Sequence, residues 1–320
     1  RNSEMRRHTL YIILLLTMVV QGASAQQDVS FCHYWLMPSF YNPAATAIEG
    51  KLDVNAAYAN QMTGFEDAPR TIYVGANLPI YFLSAAHSAG ASFMNDQTGL
   101  FKHMRVSLQY AYHHKFGRKL RLSGGLRFTL LSETFDGSKA DVNDTGDRML
   151  ATSKVTGTGF DLDFGLRVDY SNLWYAGISM LHLTSPTISF GDEKIYEYGT
   201  ESSFYLTGGY NIKFHSPLFN MQLDAIVRTN LNAWRGDLTA RLLYNGERHH
   251  LYGGVGYSPT NSVTFLFGGD FHGITVGYAY EYFTSAIGFV HGTHEITLGY
   301  KIDLDLFKKG RNLHKSVRHL

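Results

Sequence analysis

The stretch "GFDLDFGLRVDY" (residues 159–170) alternates without a break. Its even positions from Phe160 to Tyr170 are all apolar, and its odd positions hold Asp161, Asp163, Gly165, Arg167 and Asp169. A strand sends successive side chains to opposite faces, so this segment builds one apolar face and one charged face. The chain must therefore fold into a sheet whose two sides meet different surroundings.

The pattern recurs. "LRLSGGLRFTLL" (120–131) sets Leu120, Leu122, Leu126, Phe128 and Leu130 against Arg121, Ser123, Arg127 and Thr129. Segments 52–60, 104–114, 204–214, 274–282 and 294–304 alternate in the same way. Many of these runs exceed the five or six residues usual in a soluble strand. They suit a tilted membrane strand of about nine to eleven residues. Fourteen candidate strands are readable, near 51–60, 70–79, 88–95, 104–115, 119–132, 158–169, 172–183, 203–214, 218–229, 235–245, 249–258, 261–270, 273–282 and 293–304. An even count fits a closed antiparallel barrel with both ends on one side.

The connections point the same way. Those expected outside the cell include 61–69, 96–103, 133–157, 184–202 and 283–292. The expected periplasmic turns include 116–118, 170–172, 215–217 and 245–248. Long loops at one end and short turns at the other mark a transmembrane barrel. The apolar face of 160–170 then meets lipid, and the charges enter the lumen. Mean hydropathy of −0.15 agrees, because a polar interior dilutes the apolar exterior. The lumen charges are Arg121, Arg127, Asp161, Asp163, Arg167, Lys213, Arg241, Glu281, Glu295 and Lys301, which are mixed in sign. Mixed charge lets neighbouring strands pair ions and favours a filled lumen over a charge-selective pore.

The ends read differently. Met5–Ala25 has Arg6 and Arg7, an apolar run from Leu10 to Val20, and Ala23-Ser24-Ala25, the pattern of a secretory signal peptide. Residues 1–4 precede it, and the mature chain is expected to start near Gln26. Residues 26–50 are aromatic-rich and do not alternate, so they are expected to plug the lumen or lie at the periplasmic rim. The barrel is expected over 51–307, and 308–320 is a basic tail. The location expected is the bacterial outer membrane, with both termini periplasmic. The single cysteine, Cys32, makes no internal disulfide and reads as a small hydrophobe.

Chemistry is sparse. The formal net charge of +1 gives no global field for nucleic acid. "HGTHE" gathers His291, His294 and Glu295 without metal-protease spacing. His113-His114 and His249-His250 are adjacent pairs that a strand points apart. "GGVGY" (253–257) lacks the following helix that phosphate binding needs. No spacing picks out a nucleophile, so the sequence indicates no enzyme, cofactor or metal.

The irregular motifs carry a resemblance. "HYWLMPSFYNPAATA" (33–47) supplies Tyr34, Trp35, Pro38, Tyr41, Asn42, Pro43 and Ala44. "NQMTGFEDAPRT" (60–71), "MNDQTGLF" (94–101) and "GTHEITLGY" (292–300) follow in order. Together they resemble the PorP/SprF family of outer-membrane proteins of type IX secretion and gliding motility. Met62 stands where that pattern commonly has an aromatic, and the tail beyond 307 lies outside it. The resemblance implies a non-enzymatic barrel serving protein export or surface attachment. It implies partners among periplasmic ring and peptidoglycan-binding components, the translocon barrel and the C-terminal signal domains of cargo, within outer-membrane lipid. The architecture alone leaves open a channel for small solutes.

The same motifs have a physical reading. Pro38 and Pro43 break regular structure, and Asn42 before Pro43 favours a turn. Tyr34, Trp35, Phe40 and Tyr41 can pack on the barrel wall. Phe65, Glu66, Pro69 and Arg70 fall in an expected external loop, as a protein contact or a packed loop tip.

Overall fold

In the computed structural model, the alternating segments close into a fourteen-stranded antiparallel barrel. The structure describes residues 28–64, 67–82, 85–139, 154–190, 196–247, 249–285 and 291–303. The signal-peptide segment and the basic tail lie outside these. The barrel strands are β1 Leu52–Asn60, β2 Arg70–Phe82, β3 Ala85–Thr98, β4 Phe101–Phe116, β5 Leu120–Asp136, β6 Lys154–Tyr170 and β7 Trp174–Leu181. A small hairpin follows, β8 Thr187–Phe190 and β9 Tyr196–Gly199. The barrel resumes with β10 Ser203–Lys213, β11 Phe219–Thr229, β12 Trp234–Asn245, β13 His249–Ser258, β14 Ser262–Phe271, β15 Ile274–Phe283 and β16 Thr293–Ile302. β1 pairs with β16, so Val54 lies opposite Tyr300 and the ring has no free edge.

Closure satisfies the backbone without water, as a lipid-embedded sheet requires. Among the described residues no helix is long and apolar enough to cross a membrane; strands do the crossing. Large apolar side chains face out: Leu126 is 57 % exposed, Phe160 63 % and Phe267 60 %. Aromatic residues mark both rims. Tyr210, Tyr244, Tyr300 and the stacked pair Tyr170–Trp174 lie near the short-turn end, and Tyr58, Tyr257 and Tyr282 near the other. The interior is the polar side. Arg127 sits opposite Asp163, and Arg121 opposite Asp169, on β5 and β6. Both pairs are bridged by ion pairs.

The structure departs from the sequence expectation in three places. The 96–103 connection is no long loop: Thr98 pairs with Phe101, and only Gly99 and Leu100 turn between them. Gly99 takes a positive φ of 57°, which the tight turn requires. Strands β5 and β6 also run on to Asp136 and Lys154, beyond the apolar band. Outside lipid a ladder can continue with polar residues, so alternation understates its length. Third, the 184–202 connection contains β8–β9. Its Ile188 is buried against Leu131 on the inner wall, with Phe135, Val155 and Tyr198 around it.

Residues 28–50 run inside the barrel. Asp28 lies near the long-loop ends of the strands, against Arg105 and His182. Glu49 lies at the short-turn end, bonded to Lys301. The described chain therefore begins within the lumen rather than at the short-turn rim. Its last described residue, Asp303, is at that rim, paired with Lys51.

Candidate functional site

The luminal segment supplies the apolar core that the barrel wall lacks. Phe31, Tyr34, Met37, Phe40 and Tyr41 are all buried, with Tyr73 of β2 and Tyr205 of β10 packed among them. Phe40 meets Phe31 edge-on at 5.2 Å and Tyr73 at 5.1 Å. Such pairs add to the burial of their own area. Pro38 opens a one-turn helix, α1 (Pro38–Tyr41), where its missing N–H costs nothing. Pro43 opens the following 3-10 turn, Pro43–Ala45.

Asn42 joins the two turns and fastens them to the wall. Its Oδ1 accepts from the Ala44 N–H at 2.9 Å. Its Nδ2 donates to the carbonyls of Leu166 at 3.0 Å and Ile178 at 3.2 Å. No other residue type of this size offers one acceptor and two donors in that arrangement. The turn approaches this closely because the wall beneath it has no side chains. A Cβ on Gly165 would lie 2.0 Å from Asn42 Oδ1. One on Gly125 would lie 2.4 Å from the Pro43 carbonyl carbon. Gly125 and Gly165 are direct cross-strand partners, and Gly177 on β7 extends the socket.

Buried and half-buried wall groups then satisfy the backbone of the segment. Arg127 Nη1 donates to the carbonyls of Ser39 and Phe40, at 3.1 and 2.7 Å, while its Nε donates to Asp163. Ser179 Oγ donates to the Tyr41 carbonyl, Ser88 Oγ to that of Thr46, and Arg121 Nη1 to that of Ile48. Glu295, wholly buried on β16, accepts from the backbone N–H groups of Cys32 at 2.6 Å and His33 at 2.9 Å, and pairs with His33 Nδ1 at 2.7 Å.

A charged cluster holds the first residue. His182, just past β7, has Nδ1 on Asp161 and Nε2 on Asp28. An imidazole with a carboxylate at each nitrogen is doubly protonated. Burial opposes that charge, but Asp28, with hydrogen bonds to Asp161 and Asp28, raises the His182 pKa to about 9. Burial likewise pushes the Asp28 carboxyl up, but His182 and Arg105 outweigh it and hold it well below its ordinary value. Tyr205 Oη donates to the second Asp28 oxygen at 3.1 Å. Asp161, Asp163 and His182 bring possible metal-ligand atoms within 4.8 Å of one another. Those atoms already serve Arg127, Thr184, Asp28 and the backbone N–H groups of Leu162 and His182. The arrangement is a latch on the segment.

Of the residues singled out from sequence, Tyr34, Trp35, Pro38, Tyr41, Asn42 and Pro43 lie in the luminal segment. Tyr34 Oη donates to Thr239, and Trp35 lies under the Arg241 guanidinium at 4.0 Å. Arg121, Arg127, Asp161, Asp163, Arg167, Glu281 and Glu295 line the interior. Glu281 is not part of the Asn42 socket: it receives Arg235 and Ser262 on another stretch of wall. Pro69 and exposed Arg70 are also apart, at the mouth, where the Pro69 carbonyl accepts from Gln61. Phe65 and Glu66 lie outside the described residues. His294 points away from Glu295 and bonds Tyr278, so "HGTHE" forms no cluster.

Sequence reasoning missed Asp28, His182, Ser179 and the glycine socket. Gly125 and Gly165 did carry a signal, since both occupy the inward parity of their strands.

The sequence pattern of the family described as "Type IX secretion system membrane protein PorP/SprF" matches residues 23–300. No curated protein matches the chain significantly. Among solved structures, the Ralstonia pickettii toluene transporter TbuX is similar at 14 % identity and a TM-score of 0.48, over 88 % of this chain and 96 % of that one. A Pseudomonas aeruginosa FadL homologue is similar at 10 % identity and a TM-score of 0.49, over 83 % and 93 %. The CymD monoaromatic hydrocarbon channel stands at 12 % and 0.49, over 88 % and 94 %.

Proposed function

The chain belongs to the PorP/SprF family of type IX secretion system membrane proteins, and on that premise we propose that it is a plugged outer-membrane barrel serving export or surface attachment of cargo through protein–protein contacts. It works neither as an enzyme nor as a conduit for solutes. The observation that carries this reading is the luminal segment. Residues 28–48 fill the middle of the barrel, and buried or half-buried wall groups bond its backbone at Cys32, His33, Ser39, Phe40, Tyr41, Thr46 and Ile48. So many fixed contacts across the lumen leave solutes no open, water-filled path through the middle of the barrel. The catalytic-looking residues are spent in the same task, because Asp161, Asp163 and His182 hold one another and the plug.

In this reading the short turns and the chain beyond Asp303 face the periplasm, and the long connections face outward. Partners on the periplasmic side are the ring and peptidoglycan-binding components. Within or across the membrane they are the translocon barrel and the C-terminal signal domains of cargo.

A clean deletion tests the proposal, with secreted proteins compared in medium, surface and periplasm. Cargo held in the periplasm with unchanged small-solute uptake supports it. Normal export together with impaired solute uptake favours a channel instead.

A further inference from the structure

The outward wall ends, at the short turns, in aromatic side chains. Phe116 on β4, Trp174 on β7, Tyr210 on β10 and Phe214 just past it are all exposed, and Tyr170 stacks on Trp174. Rings of this kind gather at the headgroup level of a bilayer, so the belt marks where the headgroups run around this rim.

The turns at the belt are cationic. Lys115 stands beside Phe116 at the end of β4, Arg118 and Lys119 lie in the turn into β5, and Lys213 ends β10. All four side chains are exposed, and none has an ion-pair or hydrogen-bond partner among the described residues. The three successive short turns, 116–119, 171–173 and 214–218, contain no Asp or Glu. Asp169 on β6 is buried and already held by Arg121 and Arg167. The turns are fastened side by side, because the Ser171 N–H donates to the Lys119 carbonyl and the Asn211 N–H to that of Leu173. The four cations therefore lie on one continuous arc from β4 to β11.

The opposite rim is built differently. There the exposed Trp234 is followed by Arg235, which is bonded to Asp237 and Glu281, and the facing Arg228 is bonded to Asp237 as well. Those charges are spent within the protein. On the short-turn arc the matching anions have to come from outside. The bilayer that covers the rings is already in contact with this rim, whereas an acidic protein would meet the cations and leave the rings to the lipid. A zwitterionic headgroup carries its own cation next to its phosphate; an anionic one does not, and so pairs better with free lysine and arginine.

We infer that the short-turn arc from β4 to β11 is a binding surface for anionic phospholipid. Headgroup phosphates take Lys115, Arg118, Lys119 and Lys213, and the acyl chains lie along the outward wall below Phe116 and Trp174. The assignment rests on the membrane-spanning barrel and not on the export reading. In the orientation proposed above, the leaflet concerned is the periplasmic one.

The test uses the full-length protein in bilayers of phosphatidylglycerol and phosphatidylcholine, with bromine on the acyl chains of one lipid or the other. Bromine quenches the tryptophan it touches. Trp174 is followed in Trp234→Phe and Trp234 in Trp174→Phe, and Trp35, inside the lumen, gives the same background in both. Phosphatidylglycerol should outcompete phosphatidylcholine at Trp174 by about fivefold or more and stand near parity at Trp234. The preference at Trp174 should fall to parity when Lys115, Arg118, Lys119 and Lys213 are all changed to Gln. Parity at Trp174 in the unaltered turns overturns the inference and leaves the cations to an acidic partner protein. An equal preference at both tryptophans overturns it too, as does a preference at Trp174 that survives the four substitutions. The comparison of the two rims needs none of those substitutions, so it decides the matter even if the fourfold variant fails to fold.

Discussion

Glu295 on the last strand holds His33 near the start of the chain by two bonds, one to its backbone N–H and one to its imidazole, with the Cys32 N–H as a third donor. The carboxylate is fully buried. Removing it strands three buried donors at once. Glu295→Ala should therefore cost about 3 kcal/mol or more, at about 1–3 kcal/mol for each buried donor left unpaired. Glu295→Gln, which keeps an acceptor, should cost less. The check is the temperature at which the folded barrel loses its fast mobility on SDS gels, together with maleimide labelling of Cys32. An unchanged transition and unchanged labelling in Glu295→Ala would mean that the clamp does not hold the plug.

The glycine socket gives a sharper steric prediction. Gly165→Val places carbon inside the space held by Asn42, and Gly125→Ala inside that of Pro43. Overpacking of this kind costs about 1–3 kcal/mol or more. Gly253→Ala is the control, because an added Cβ there meets nothing within 4 Å. Cys32 labelling should rise in the first two variants and stay at the wild-type level in the third. Equal labelling in all three would show that the turn tolerates a filled socket.

The latch on Asp28 predicts a pH dependence. His182 is raised from 6.5 to about 9. Its contribution is therefore complete below about pH 6.5 and is lost as pH rises through about 9. Asp28 is held below 3.8. Its contribution is present above that value and is lost only as pH falls through the lowered one. The gel-shift temperature should thus be highest between about pH 4 and 6.5 and decline towards pH 10. His182→Gln should flatten the alkaline decline. A wild-type and a variant that fall in parallel would assign the decline to other groups.

Conductance separates a plugged barrel from a pore. Full-length protein in planar bilayers should show no steady ion current, and a variant lacking residues 30–48 should conduct. Steady current through the intact protein would contradict the closed lumen.

Much of this architecture is legible in the sequence, because alternation records which solvent each face meets. Phe160 and Asp161 differ by one residue and lie on opposite sides of the wall. The boundaries of β3 to β6 were less legible. Beyond the lipid their strands continue with residues such as Asp96, Lys102 and Thr134, which need not alternate. The site was legible only in part. "YNPA" announces a turn, but its seat depends on Gly125 lying opposite Gly165, which only the register reveals. Asp28 and His182 are 154 positions apart and share no local pattern. The β8–β9 hairpin was hidden in a loop because its short strands bury little besides Ile188.

The bond between His33 and Glu295 spans 262 residues, and its acceptor lies on the strand that pairs with β1 to close the ring. A contact of that separation forms late, since most of the chain must be ordered before its ends can meet. The plug thus gains its deepest anchor only when the seam zips. Sealing the lumen and completing the wall become one event, and an assembly intermediate still lacking its final strand would be both open-sided and leaky.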